Sequence, residues 1–597
     1  MSFMSRVAKK KFQQACYKCN LKKFFANSFW YLAITVFILI FLYQISFVFP
    51  EHGHDFGYFI KRLVAGRRHF FIQGLSPYRY IAYFCGGIVM YGNPNGMYYS
   101  ILQLLTLFID PWVSIKLVVI FSIILGYVGW FLFARDVIKL KRVWSHVLSI
   151  IILSNGFYLV QVFAGHVCFI SFPLIGFLFW LFFTPKTDTK RTILSRTAIF
   201  TLIVAHIFYS CGYTVLPLAI VGILMGVPLC FIFHPSNRVK LSQLCIRILT
   251  YGAGVFAITA GKLVAVVSVM GNLSRSMPFD KMQPEDNTLY FIVKAFWAIP
   301  QRLELLKEVS HGLHEKSMLM SPVTIIGLLL FFILFIFSKV KTLSLIRKLL
   351  VLSYLIFLLY IFMEFAQGYG YFITFLEQVP FFIQTRKTSR FIILLAILIS
   401  IGSAWAFGKM FSNNKLIRYE ALFGGLIITI TLSCFYLGYP KETLNSISNF
   451  GNITEARNLI AENPIPKSVE FLTSDSVGFK FLEGKSGIAC YEPLFNKVGQ
   501  KQIDILHVGR VTDENNGFFN MINPSCYQYP KENDCEPWDR ISVNDEKNFN
   551  KFLRGEKVDW KISRLQAIAD WTSGTTFFLL IGVLLYLTIM FIYRIRK

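Results

Sequence analysis

Long apolar runs broken by short polar ones dominate the chain. Stretches near 27–49, 112–134, 144–163, 168–184, 197–214, 216–233, 248–270, 321–338, 349–366, 391–408, 420–438 and 573–593 are strongly apolar and carry few charges. A helix needs roughly 20 such residues to cross a hydrocarbon core of about 30 Å. The pattern therefore predicts an α-helical polytopic membrane protein with about twelve transmembrane helices. Only Pro217 and a short hinge at 211–214 separate the fifth and sixth. Residues 56–71 read differently. Phe56, Phe59, Ile60, Leu63 and Val64 follow the spacing of one helical face, with Lys61, Arg62 and Arg68 on the others. This predicts an amphipathic helix lying in the membrane interface, its basic side toward lipid headgroups.

The polar links fall into two sets. Short basic links occupy 6–23, 135–142, 186–196, 238–247, 339–348, 409–418 and 594–597, while every long loop (50–111, 271–320, 367–390, 439–572) belongs to the other set. The positive-inside rule assigns the basic set to the cytoplasm. An even number of spans then places both termini, themselves basic, in the cytoplasm. The expected organisation is a basic cytoplasmic N-terminus (1–26), a transmembrane module (27–438) with an amphipathic first outer loop (50–111) and a further outer loop (271–320), an outer-face domain (439–572), and a final span with a basic tail (573–597). Residues 1–26 are too polar for a cleaved signal peptide, so the first span is read as a retained anchor.

The outer-face domain reads as α+β, with strand-like pieces at 469–472 and 503–508 among Gly, Pro and Asn turns. Cys526 and Cys535 are close enough in sequence to pair in an oxidising compartment, which leaves Cys490 odd. The 271–320 loop is helical in pattern from Leu289 to about Glu308. Asn272 and Asn452 open glycosylation sequons, which carry weight only in a compartment that glycosylates.

Composition narrows the function classes. Hydrophobic residues make up 55% and charged residues 16%, which excludes an ordinary soluble monomer and a disordered chain. Eleven cysteines are too dilute for a disulfide-stapled mini-protein. The net charge of +27 would suit nucleic acid, but it lies in the short links, and the one large polar segment carries slightly more acids than bases. No nucleic-acid partner is expected. A single CxxC at Cys16 and Cys19 lacks the second ligand pair of a zinc site.

The outer loops are where chemistry is expected, because the inner links are too short to build a site. Glu51, His52, His54 and Asp55 crowd together where the first span leaves the bilayer. A carboxylate there is suited to act as a general base toward a hydroxyl or to hold a divalent cation; a solvated loop end is the plain alternative. His166 stands in a short outer turn, as a structural residue or a ligand. Arg386, Lys387 and Arg390 precede the tenth span, placed to meet a phosphate or pyrophosphate. Lys262 and Glu364 lie within spans and need partners or a polar cavity.

In order, these features resemble the GT-C class of integral-membrane glycosyltransferases, especially large bacterial members of the YfhO-like and arabinofuranosyltransferase-like type. The resemblance covers roughly residues 27–410. It rests on the acid after the first span (Asp55), the long amphipathic first loop, Gly92-Asn93-Pro94, Gly165-His166 ahead of a span bearing Pro173, and the stretch from Pro380 to Phe391. It implies a GT-C-like fold and a polyprenyl-phosphate sugar donor used on the outer face, with a glycan or glycolipid acceptor and membrane lipids as the other partners. Asp55 would be the general base, with Glu51 and His54 supporting it or contacting a metal. Arg386, Lys387 and Arg390 would neutralise the donor phosphate, assisted by His166. Several GT-C families carry two adjacent acids, where this chain has His54 before Asp55, so a divalent metal (Mg or Mn) is not required by the pattern. The compact inner links point to a bacterial inner membrane. The competing readings are a transporter or flippase for a lipid-linked or anionic substrate, a polysaccharide polymerase or ligase, and a non-catalytic scaffold for the outer domain. Lys262 is the main feature favouring transport.

Overall fold

The computed structural model describes residues 29–43, 55–185, 189–233, 240–273, 296, 318, 320–337, 345–379, 382, 387–411, 419–437, 469–473, 484–488 and 498–596. Each of the twelve apolar stretches contains helix. Among the described residues, eight helices are long and apolar enough to cross a membrane: Pro111–Val137, Arg142–Phe163, Thr192–Tyr209, Leu241–Asn272, Lys348–Gln367, Thr388–Met410, Glu420–Leu437 and Arg564–Met590. The other four are shorter apolar helices, Phe29–Tyr43, Val167–Phe183, Val215–Leu229 and Pro322–Phe335. The chain is thus an α-helical protein of integral-membrane type.

In chain order the helices are α1 (Phe29–Tyr43), α2 (Phe56–Gln73), α3 (Ile101–Leu105), α4 (Pro111–Leu132), α5 (Arg142–Leu153), α6 (Gly156–Phe163), α7 (Ile175–Phe183), α8 (Lys190–Tyr209), α9 (Val215–Phe233), α10 (Leu241–Leu273), α11 (Pro322–Phe337), α12 (Leu345–Gln367), α13 (Tyr371–Glu377), α14 (Ile393–Met410), α15 (Glu420–Leu437), α16 (Val498–Ile505), α17 (Pro524–Gln528), α18 (Glu546–Leu553) and α19 (Arg564–Arg596). The centre of the bundle is the α5–α6 rod, whose apolar window is entirely buried. Helices α4, α14 and α15 pack around α5, α4 packs on α7, and α10 packs between α8 and α19. Trp144, Phe157 and Tyr158 fill the middle of this core. The rod breaks at Asn155, whose side-chain oxygen accepts from the Tyr158 amide at 3.4 Å and so starts α6.

Charges inside the bundle are spent on helix ends. Arg247 of α10 is buried and donates to the carbonyls of Phe182 (2.6 Å) and Thr184 (2.9 Å), which α7 leaves open at its C-terminus. Glu364 of α12 accepts from the amides of Tyr371, Phe372 and Ile373 at 2.7–3.2 Å, capping α13. Asp136 accepts from Trp180 Nε1 at 3.1 Å and pairs with Arg135 at 3.2 Å.

The first loop and the C-terminal polar segment are built together. The short antiparallel hairpin β1 (Tyr80–Ile81) and β2 (Ile88–Val89) sits against the segment after residue 469. The Ile522 amide donates to the Gly86 carbonyl at 3.1 Å. Ser486 Oγ donates to the Tyr83 carbonyl at 2.8 Å, Gln73 Nε2 to the Gly555 carbonyl at 2.6 Å, and Gln502 Nε2 to the Cys85 carbonyl. The C-terminal segment carries two small sheets. One has the order β4 (Lys485–Gly487), β3 (Glu470–Thr473), β5 (Gly509–Arg510); the other is β6 (Glu514–Asn515), β7 (Phe518–Ile522), β8 (Arg540–Ser542). Cys526 and Cys535 form a disulfide, and Cys85 is disulfide-bonded as well. Cys490 lies outside the described residues.

Two local expectations need correction. The 503–508 stretch is not a strand: its first part ends helix α16, and strand structure resumes only at Gly509. Ile503 and Val508 are exposed, and among the residues of α16 whose burial is described the fully buried one is Gln502, one turn before Leu506 on the same face. Helix α2 forms where the periodicity puts it, but its basic face does not meet headgroups. Arg62 and Arg68 are buried, with their guanidinium carbons 3.6 Å from the Tyr58 ring centre and 5.4 Å from that of Tyr83. Tyr58, on α2 itself, and Tyr83, in the following loop, cover these cations and replace water and lipid as their environment. The pattern at 289–308 (apart from Phe296, which is helical and buried), the CxxC at Cys16 and Cys19 and the sequon at Asn452 lie outside the described residues, whereas Asn272 donates through its side chain to the Tyr527 carbonyl at 2.9 Å.

Gly87 is a tight point of the seam. Its φ is +97°, and an added Cβ would stand 2.9 Å from the Ile522 carbonyl oxygen. Gly87→Ala is expected to destabilise the loop–domain junction by about 1–3 kcal/mol. Limited proteolysis of the detergent-solubilised chain checks this: cleavage near residues 80–90 should accelerate well before the bundle unfolds.

Candidate functional site

Asp55 is the residue just before α2. Its backbone N–H donates to the Ala164 carbonyl at 3.3 Å, so the start of α2 rests on the end of α6. The close approach requires Gly165, whose φ is +87° and where a Cβ would lie 2.4 Å from the Phe56 nitrogen. An N-terminal Asp usually turns back to cap its own helix, and Asp55 makes no such bond. Its Oδ2 instead takes His166 Nε2 at 3.0 Å, with the two side chains 14% and 9% exposed. On the far side of the ring, His166 Nδ1 hydrogen-bonds Gln161 Oε1. The imidazole is thereby fixed at both nitrogens, and the carboxylate is fixed by the imidazole.

The turn that carries His166 also meets the basic cluster before α14. Phe169, three residues after His166, has its ring centre 6.2 Å from that of His166 and 5.1 Å from the Arg390 guanidinium carbon. Arg390 is held there by its own short helix. Thr388 Oγ1 donates to the Phe365 carbonyl at 2.8 Å, and Phe391 stacks on Phe365 at 4.6 Å. Arg390 and Lys387 are half-buried. Asp55, from the first loop, and Arg390, from more than three hundred residues later, therefore both contact the 166–169 turn. Glu51, His54 and Arg386 lie outside the described residues. Among the described residues, no three His, Cys, Asp or Glu side chains gather as a metal ion would need.

The other residues singled out from the sequence divide by role. Glu364 is a helix cap. Lys262 is buried and donates from Nζ to the Gly96 carbonyl in the first loop. It is thus directed at the first loop, just after the Gly92-Asn93-Pro94 turn, in which the Asn93 side chain accepts from the Asn95 amide at 2.9 Å. Asn95 in turn donates to Tyr58 Oη at 3.0 Å, tying this turn to α2. Sequence reading passed over the tyrosines of the first loop and His69. Aromatic residues are so frequent in this chain (17%) that no local signal distinguishes those over α2 from those facing lipid.

Burial controls the ionisation of α2. The Lys61 ammonium is lowered to about 8, first by burial and then by the neighbouring Arg62 charge. Burial also lowers Arg62 and raises Tyr58 and Tyr78. His69 falls to about 4 because burial outweighs its contact with the Ser76 carbonyl at 3.1 Å.

Neither a family model nor a curated protein matches the chain.

His69 locks the end of α2 to the loop above it, stacking on Tyr78 at 4.3 Å. Its folded-state value lies below the usual 6.5, so the unfolded chain binds the proton more tightly. Its contribution is full above about pH 6.5 and is lost as pH falls toward about 4, amounting to about 3 kcal/mol at most. Thermal unfolding of wild type and His69→Phe across pH 4–7 checks this: the wild-type midpoint should fall with acidification more steeply than the variant's.

Proposed function

We propose that the protein is an inverting membrane glycosyltransferase of GT-C type. It moves a sugar from a polyprenyl-phosphate donor to a hydroxyl of a cell-envelope glycan or lipid acceptor on the outer face. The observation that carries this reading is the meeting of Asp55, His166 and Arg390 around one turn. Oriented by the imidazole, the Asp55 carboxylate takes the proton of the acceptor hydroxyl. The acceptor oxygen then attacks the anomeric carbon from the face opposite the phosphate, the anomeric carbon–oxygen bond breaks, and polyprenyl phosphate departs. Negative charge grows on that phosphate in the transition state, and a fixed cation beside it lowers the barrier. Arg390 and Lys387 fill that role, with Arg386 adjacent in sequence. Tethering both lipid-borne reactants at one surface removes much of the entropy cost of their meeting.

In this reading the four shorter apolar helices complete twelve crossings, both termini are cytoplasmic, and the first loop and the 439–572 segment lie together outside a bacterial inner membrane. The shared packing of those two segments supports a common side. The disulfides at Cys85 and Cys526–Cys535 support an oxidising one. Transport is less favoured, because Lys262, its principal support, reaches the outer loop rather than a mid-bilayer partner.

Asp55→Asn tests the proposal. General-base loss is expected to slow sugar transfer by about 10²–10⁴-fold while the variant still inserts and folds. The check is transfer of labelled sugar from polyprenyl-phosphate donors in membranes, with the unfolding midpoint measured alongside. Undiminished transfer by the folded variant removes Asp55 as the base. Arg390→Gln should lower the turnover rate more than it raises the donor concentration at half-maximal rate, because its charge meets the phosphate most strongly in the transition state.

A further inference from the structure

Two buried thiols meet beside the candidate site. Cys168 lies in the 166–169 turn, between Val167 and Phe169, and is 5% exposed. Cys211 lies in the hinge between α8 and α9 and is fully buried. Neither is part of a disulfide, and their side chains hydrogen-bond each other. Cys211 Sγ also donates to Asn95 Oδ1 of the first loop at 2.9 Å.

The backbone fixes both sulfurs. In the turn, the His166 amide donates to the Gln161 carbonyl at 3.0 Å and the Phe169 amide to the His166 carbonyl at 2.9 Å. In the hinge, the Gly212 amide donates to the Ile207 carbonyl at 2.8 Å. Cys211 itself has a φ of +64°, a conformation that a residue with a side chain keeps only when its surroundings impose it. The meeting of the two thiols is therefore set by the fold on both sides.

A buried cysteine is ordinarily a small apolar filler. Two observations set this pair apart. Filling needs no second thiol, yet two separate elements bring sulfur to sulfur. In addition, the first loop, which reaches Cys211 through Asn95, holds a disulfide-bonded cysteine of its own at Cys85. Disulfides persist where the compartment is oxidising, so these thiols touch a loop that meets such conditions.

We propose that Cys168 and Cys211 are a redox pair, which a peroxide oxidises to a disulfide clamping the 166–169 turn to the α8–α9 hinge, and which a small dithiol reduces again. Cys168, which keeps slight exposure, reacts first. Its sulfur attacks one peroxide oxygen, the O–O bond breaks, and the departing hydroxide leaves as water with the thiol proton, giving a sulfenic acid. The Cys211 sulfur then attacks the Cys168 sulfur. The S–O bond breaks, and the hydroxyl leaves with the Cys211 proton as a second water. The two sulfurs lose two electrons, which the peroxide oxygens gain. A disulfide sulfur carries no hydrogen, so Asn95 Oδ1 loses its donor and the first loop loses one bond to the hinge. The inference holds whether or not the protein transfers sugar.

The test uses the full chain in detergent, reduced with dithiothreitol, desalted and treated with hydrogen peroxide. After the peroxide is removed with catalase, the chain is denatured, alkylated with N-ethylmaleimide, digested and read by mass spectrometry. The peptides bearing Cys168 and Cys211 should appear joined, lighter by two hydrogens than their sum, and alkylation of each residue should fall at least tenfold. Dithiothreitol added to the oxidised, folded chain should restore both. In Cys168→Ser, Cys211 should stay open to alkylation, because the thiol that meets the peroxide is gone; if that variant fails to fold, the wild-type measurement decides alone. Full alkylation of both residues after peroxide would overturn the proposal. So would pairing of either residue with a different cysteine, a link that dithiothreitol does not open in the folded chain, or a link no more abundant than in a chain denatured before oxidation.

Discussion

A charged side chain inside an apolar bundle must find a partner within the protein, because neither hydrocarbon nor packed side chains solvate it. This constraint organises much of the interior described above. Arg247 closes the end of α7, Glu364 starts α13, and Asp136 is shared between Trp180 and Arg135. In each case an ion takes up polar groups that a helix end or a neighbouring side chain leaves open, so two costs are offset by one contact. Asp55 obeys the same rule at the rim by joining His166. Lys262 obeys it only in part, with a carbonyl and two aromatic faces in place of a carboxylate.

The same economy explains why the first loop and the C-terminal segment are joined. Helix α2 buries two arginines, and burial of such cations needs a roof of aromatic rings and backbone oxygens. Tyr58 of α2 itself and Tyr83 of the following loop supply the rings; the hairpin that carries Tyr83 is held in turn by bonds from residues 486, 502 and 522, and the end of α2 by the bond of Gln73 to the Gly555 carbonyl. The seam therefore stabilises the geometry of α2, and through α2 the position of Asp55 at its start. A change in the distant C-terminal segment is coupled to the candidate site by a contiguous chain of contacts rather than by proximity.

The apolar runs were readable from the chain because hydropathy reports span existence directly, and each of the twelve contains helix. The α2 periodicity was equally clear. Its surroundings were not, because hydropathy cannot tell a basic face turned to headgroups from one roofed by tyrosines; both present Arg62 and Arg68 off the apolar stripe. The α16 segment misled for a related reason. Its buried anchor is Gln502, a polar residue that no hydrophobic pattern would place inside, and its partner is a backbone carbonyl more than four hundred residues away. Within the candidate site, Asp55, His166 and Arg390 could each be picked out by position relative to the spans. Their meeting depends on Gly165 and Phe169, which bring α2, the 166–169 turn and the helix of Arg390 together, and a single residue type at a turn does not announce such a contact.

The Asp55–His166 pair has a simpler reading, as a strut that pins α2 to the central rod. The backbone already does that: the Asp55 amide bonds Ala164, and Gly165 permits the contact. The side chain forgoes a cap on its own helix, a bond worth about 1 kcal/mol, and makes a charge-assisted bond to His166 in its place. The carboxylate is instead held beside an imidazole that is itself held by Gln161, and a phenylalanine ring leads from there to a guanidinium. A sequence of contacts that fixes an acid, a base and a cation around one turn constrains directions as well as positions. Stability does not require that precision, whereas removing a proton from a hydroxyl while a phosphate departs on another side does.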